Sequence, residues 1–206
     1  MKTILKCMLG ISALVTMNAN ASLINVTGPV SSNGNFASII AAPSAAEDAS
    51  VTNLAQQGFD EQQGVLLGNG VSTDQGVVGG GMVVDSHMIF LNNPNNIGVT
   101  TIHNAVKWAF DGTILGVMSD KLGAYEASST PILGALATTY PGGFNARGME
   151  GADKYSGVGS RFLMVNMIVS QPGDWIRVVT AVPEPSSLAL MFLGLFGLML
   201  GRRAKS

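Results

Sequence analysis

The chain has 206 residues, of which 47% are hydrophobic and only 12% charged, with 26 glycines. Few charges leave little material for the wet faces of amphipathic helices, and so much apolar residue excludes a disordered chain. Five bases lie near the two ends, so six bases face twelve acids between residues 22 and 182; a net charge near −6 excludes electrostatic binding of nucleic acid.

Residues 1–21 follow the three-part plan of a removable signal peptide. Lys2 and Lys6 make a positive start and residues 8–17 an apolar centre. Ala19-Asn20-Ala21 offers small residues to signal peptidase, with Ser22 as the new first residue. The single cysteine, Cys7, belongs to this leader, which leaves the exported chain without a disulfide, a thiolate nucleophile or a cysteine zinc ligand.

Residues 22–180 read as one β-rich domain. Residues 23–26 predict a first strand, ended by Gly28-Pro29, and 36–41 a second apolar segment. Ser44-Ala45-Ala46-Glu47 fits a capping box and predicts a short helix running to Gln57. Residues 64–67, 76–78 and 82–91 predict strands, the last closed by Asn92-Asn93-Pro94-Asn95-Asn96, a turn cluster. Residues 99–110 alternate. Ile102, Val106, Trp108 and Phe110 are expected on a buried face, and Thr101, His103 and Lys107 on a wet one. Asp111-Gly112 then predicts a hairpin into 113–118. Residues 119–160, rich in proline and glycine, read as long surface loops. The nearly continuous apolar run 161–169 predicts a strand buried on both faces. Gln171-Pro172-Gly173-Asp174 predicts a type II turn and a second hairpin into 175–180. About eight short strands with hardly any helix predict an all-β, antiparallel sandwich or jelly-roll-like fold.

The tail at 181–206 has a proline-rich break with Pro183, Glu184 and Pro185, a transmembrane helix over 187–201, and a basic end with Arg202, Arg203 and Lys205. The prolines hold the chain extended and open to an enzyme, and the bases favour the cytoplasmic side. The apolar run 188–200 spans about 20 Å as a helix, short of the roughly 30 Å hydrocarbon core. That shortfall suits a transient tether better than a lasting anchor.

In that order, Val182-Pro183-Glu184-Pro185-Ser186-Ser187, the Gly/Leu-rich run and Arg202-Arg203 resemble the PEP-CTERM sorting signal of Gram-negative bacteria. The resemblance implies recognition and cleavage by an exosortase, with Pro183, Glu184 and Pro185 recognised and Arg202 and Arg203 retaining the tail. It also implies transient residence in the inner membrane, then the outer surface or the medium of a bacterium that makes exopolysaccharide and biofilm. Val84-Asp85-Ser86-His87 and the run 172–180 resemble secreted proteins of the same kind whose activity is uncharacterised, so they transfer no catalytic residue.

No chemistry-bearing motif stands out in 22–180. His87 and His103 match no zinc spacing and are expected on strand surfaces. No G-x-S-x-G elbow, calcium loop, P-loop or dinucleotide fingerprint is present. Asp60, Glu61, Asp85, Asp111, Asp120, Glu126, Glu150, Asp153 and Asp174 are available for a two-carboxylate hydrolase, but read as surface and turn residues. Of the aromatics, Trp108 is expected in the core, and Tyr140 and Tyr155 in loops are the better candidates for stacking on sugar rings, beside Trp175 and Tyr125. The sequence therefore points to a non-catalytic, matrix-associated extracellular protein without catalytic, cofactor or metal residues. A carbohydrate-binding module and an extracellular hydrolase are the alternatives.

Overall fold

The computed structural model describes residues 22–46, 53–93, 99–170 and 173–183. The leader (with Ala19 and Ala21), the helix at 187–201, and Glu184, Pro185, Arg202 and Arg203 lie outside the described residues. Among the described residues no helix is long and apolar enough to cross a membrane.

Strands dominate, as the composition predicts. One sheet pairs β1 (Leu23–Thr27), β8 (Thr101–Phe110), β11 (Phe162–Val169) and β10 (Lys154–Ser156) in that order, all antiparallel. A second sheet runs β2 (Ser38–Ile39), β3 (Gln57–Asp60), β7 (Val83–Leu91), β12 (Asp174–Ala181) and β9 (Ile114–Met118), with β4 (Val65–Leu66) also on β7. Its pairs are antiparallel except β2 with β3. β5 (Val71–Thr73) and β6 (Gly76–Val78) form a separate ribbon.

Buried side chains from both large sheets make one apolar cluster. It holds Val106, Trp108 and Phe110 of β8, Leu163 and Val165 of β11, Ile89 of β7, and Ile176 and Val178 of β12. The other face of the second sheet is also covered. Phe59, Met88, Phe90 and Trp175 pack there in one cluster, and Val84, Met118, Val179 and Leu133 in another. Leu133 ends α1 (Ala124–Leu133), the helix of this covering layer.

Several sequence expectations are overturned. No helix runs to Gln57, because Gln57–Asp60 is β3 on the flank of β7; residues 47–52 lie outside the described set. The helix is α1 instead, inside the stretch read as loops, which also holds β10. Pro131 and the lack of a charged face hid it. Its start is set by Asp120, whose carboxylate accepts the Ala124 and Tyr125 amides at 2.8 and 2.9 Å.

Neither expected hairpin exists. β8 and β9 lie in different sheets, as do β11 and β12. Asp111-Gly112 and the connection before Asp174 therefore carry the chain from one sheet to the other; the expected type II turn includes residues 171–172, which lie outside the described set. β11 is not buried on both faces: Phe162, Met164 and Ile168 point outward, uncovered. The two-faced burial falls on β7 and β12, each buried along nearly its whole length.

β8 changes face midway. Ala105 has φ 56°, and the register against β11 shifts between Val165 and Met167. This bulge turns Thr101 and His103 inward to full burial and Ile102 outward, the reverse of a strict period of two. The Asn166 side-chain oxygen accepts the Ala105 amide at 2.6 Å and satisfies the donor that the bulge displaces.

Candidate functional site

Both histidines are buried, against expectation. His103 is held by the first residue before β3: its Nδ1 accepts the Gln56 amide at 2.9 Å, and its Nε2 donates to Pro29 O at 3.0 Å. With one nitrogen accepting and one donating, the ring is neutral, and burial holds its pKa below the usual imidazole value. Gln56 also bonds the His103 carbonyl and the Trp108 indole, at 2.8 and 3.0 Å.

His87 sits between the sheets with its ring 5.0 Å from Phe110. Its Nδ1 is 2.7 Å from Asp60 Oδ1 and its Nε2 3.0 Å from Thr180 Oγ1. Carboxylate, imidazole and hydroxyl thus stand in the order of a nucleophile-activating relay. Thr180, however, is fully buried near the end of β12, so its hydroxyl faces packed side chains. Residues on three strands make this series, and no local spacing announces it.

On the opposite face of the second sheet lies a layer of buried ion pairs. Arg177 of β12 meets Glu61 with two bonds of 2.6 and 2.7 Å, and its Nη1 donates to Glu126 O and Ser129 Oγ of α1. The Glu126 carboxylate takes Arg147 at 2.8 and 3.3 Å. Arg147 lies 4.6 Å from the Trp175 ring, which stacks on Phe90 at 4.1 Å. Tyr140 donates its hydroxyl to Glu61 at 2.6 Å; burial and the Glu61 charge push its pKa up. Two-pronged pairing offsets the cost of burying these charges, although Arg147 Nη1 is left without a hydrogen-bond partner among the described residues.

Several of the remaining carboxylates accept backbone amides, while Asp174 Oδ2 and Glu150 Oε2 are buried without a hydrogen-bond partner among the described residues. Asp111 accepts the Ser22 amide, Asp120 starts α1, Asp85 accepts the Gly64 amide, and Asp153 accepts the Ile168 amide. Asp174 is buried, and its pKa is pushed up to about 10 by that burial and by the Asp153 and Glu150 charges. Glu150 is raised in turn, by burial and then Asp153. Among the described residues no group of three His, Cys, Asp or Glu is arranged to hold a metal ion.

An open site is found elsewhere, around Phe36 on the connection from β1 to β2. The Phe36 ring is 70% exposed and divides two clefts of about 310 and 290 Å³. Thr27 and Gly28 line the first; Asn35, Ser38 and Gln57 line the second. Among the described residues, every side chain lining the two clefts is uncharged. An exposed ring flanked by amides and hydroxyls suits a neutral polyhydroxylated ligand, whose C–H face stacks while its hydroxyls bond. The aromatics named from sequence lie elsewhere. Trp108 and Trp175 are fully buried, and Tyr140 and Tyr155 spend their hydroxyls on Glu61 and Asp74. The turn residues Asn33-Gly34-Asn35 directly before Phe36 were the available sign that this ring sits on a loop and not in a strand.

Of the residues expected in processing, Ser22 precedes β1, and Pro183 follows β12 half-exposed. Residues 181–204 match the PEP-CTERM protein-sorting motif. No curated protein and no solved structure matches the chain.

Proposed function

We propose that this chain, which carries a PEP-CTERM sorting motif, is a non-catalytic extracellular protein that associates with exopolysaccharide in a surface or biofilm matrix. The motif at 181–204 is the observation that carries the reading, because it implies exosortase-dependent sorting to the surface in Gram-negative bacteria. In this reading residues 1–21 are removed by signal peptidase. The helix at 187–201 tethers the chain briefly in the inner membrane, Arg202 and Arg203 hold its cytoplasmic end, and cleavage falls near Pro183-Glu184-Pro185.

The neutral clefts beside Phe36 support a glycan ligand, in line with a carbohydrate-binding module. Pairing of Glu61 and Glu126 with buried arginines, and a relay that ends on a buried threonine, support a role without catalysis in preference to a hydrolase. Two sheets sharing one apolar cluster support a sandwich for the exported domain.

Intact mass of the natural extracellular form tests the processing. The expected species has lost residues 1–21 and the tail beyond the Pro-Glu-Pro segment; a full-length chain as the lasting form defeats the reading. Binding of the purified domain to the producing strain's own exopolysaccharide tests the association.

A further inference from the structure

Ser22 and Asp111 are joined twice. The Ser22 nitrogen donates to Asp111 Oδ1 at 2.6 Å, and the Asp111 amide donates to Ser22 O at 3.2 Å. Their neighbours Leu23 and Phe110 are register partners of β1 and β8, so this nitrogen is set opposite the carboxylate by the ladder itself. The side chain of Leu23 is buried in the core, which pins the register. A neutral amide needs no more than a carbonyl as acceptor; a carboxylate gives its largest gain to a positive donor.

We propose that hydrolysis of the Ala21–Ser22 bond creates a Ser22 α-ammonium that docks on Asp111 as an ion pair, so the domain reaches full stability only after its leader is removed. The proposal rests on reading residues 1–21 as a removable leader. In the hydrolysis, water gives its oxygen to the Ala21 carbonyl carbon, forming a carboxylate. A hydrogen goes to the Ser22 nitrogen, which takes a further proton at neutral pH. One donor of the resulting ammonium keeps the bond to Asp111 Oδ1. The pair ties the start of β1 to the turn where the chain leaves one sheet for the other. A cut one residue earlier or later places the charge away from Asp111, so the ladder selects Ser22 as the first residue.

The other charged or titratable groups at this corner are Asp60 of β3, which accepts the Leu23 amide at 2.9 Å, His87 behind it, and Arg161, whose carbonyl accepts the Phe110 amide. Their titration is common to any two forms that differ only in the first residue, so the test is a difference. Chains beginning at Ser22 and at Ala21, both running to Ser206 in detergent, are melted side by side. A paired ammonium has its pKa raised above the unpaired range of about 7.7–8.0. Its contribution is therefore full below that range and is lost as pH rises through the raised value.

At pH 6.5 the Ser22 form is expected to melt about 2 °C or more higher. The gap is expected to close in strongly alkaline buffer and to be absent in Asp111→Asn. Equal melting at pH 6.5, or a gap that survives Asp111→Asn, overturns the proposal. If that variant does not fold, NMR titration of the Ser22 amine in the native chain decides: a pKa above the unpaired range supports the pair, and one within it overturns the pair. N-terminal sequencing of the exported protein tests the leader reading separately, since another first residue defeats that reading without altering the melting comparison.

Discussion

Asp174 is the residue whose charge state the fold most alters. Its folded pKa of about 10 stands far above the ordinary carboxylate value, because burial and two neighbouring carboxylates oppose ionisation. The unfolded chain therefore releases this proton near pH 4, while the folded chain keeps it until about pH 10. Stability conferred by the protonated form is complete below the unfolded value and falls as pH rises through the interval. Asp174→Asn removes the penalty, so its melting temperature is expected to exceed the wild type's by a margin that widens from pH 5 to pH 9. A constant margin contradicts this account. His103 has the opposite sign, since its pKa is lowered and acid destabilises the fold below about pH 6.5; the comparison between variant and wild type cancels it. Phe36→Ala is expected to leave melting unchanged and to weaken glycan binding roughly tenfold, the value of one ring stack. Calorimetry on the strain's own polysaccharide reads this directly.

At the scale of elements, letters and burial part company where covering layers matter. β11 reads as the more apolar run, yet it is β12 that is covered on both sides. The sequence of a strand records its side chains and not what lies above them, so Phe162, Met164 and Ile168 could not be told from core residues. The longer strands were legible because apolar runs end at glycine, proline or asparagine, whereas the short β3, β5 and β10 were not. Turn chemistry marked each reversal but not the partner, since a tight turn joins strands across two sheets as readily as within one. The face reversal in β8 rests on a single backbone conformation at Ala105, which alanine does not announce. Left-handed backbone strains any residue with a Cβ, so Ala105→Gly is expected to stabilise by about 0.5–1 kcal/mol. Chemical denaturation measures it, and a loss of stability argues against the bulge. Gly58 behaves oppositely: a Cβ there meets the Trp108 ring at 2.7 Å. Gly58→Ala is expected to cost about 1–3 kcal/mol, as overpacking does.

For the molecule as a whole, the candidate cleft and the sorting motif differ in how they are written. The motif is a linear text, read in order by an enzyme, and was legible without a fold. The cleft joins residues from the β1–β2 connection to Gln57 at the start of β3, so it exists only once the chain has folded. The core clusters draw on residues 22–183, and a chain ending there is expected to melt within a few degrees of one carrying the tail. A collapse of the shortened form means that the tail contributes to the fold.

β12 is the last strand before the sorting segment, yet it lies inside its sheet, between β7 and β9. A chain that crosses a membrane from its first residue onward delivers this central stave at the end. Until it arrives, β7 and β9 each expose a raw border, and Arg177 is not there to meet Glu61. Under the proposed sorting, final closure of the domain would coincide with entry of the tail into the bilayer. In that case the protein would complete itself beside the membrane and away from other unfinished copies.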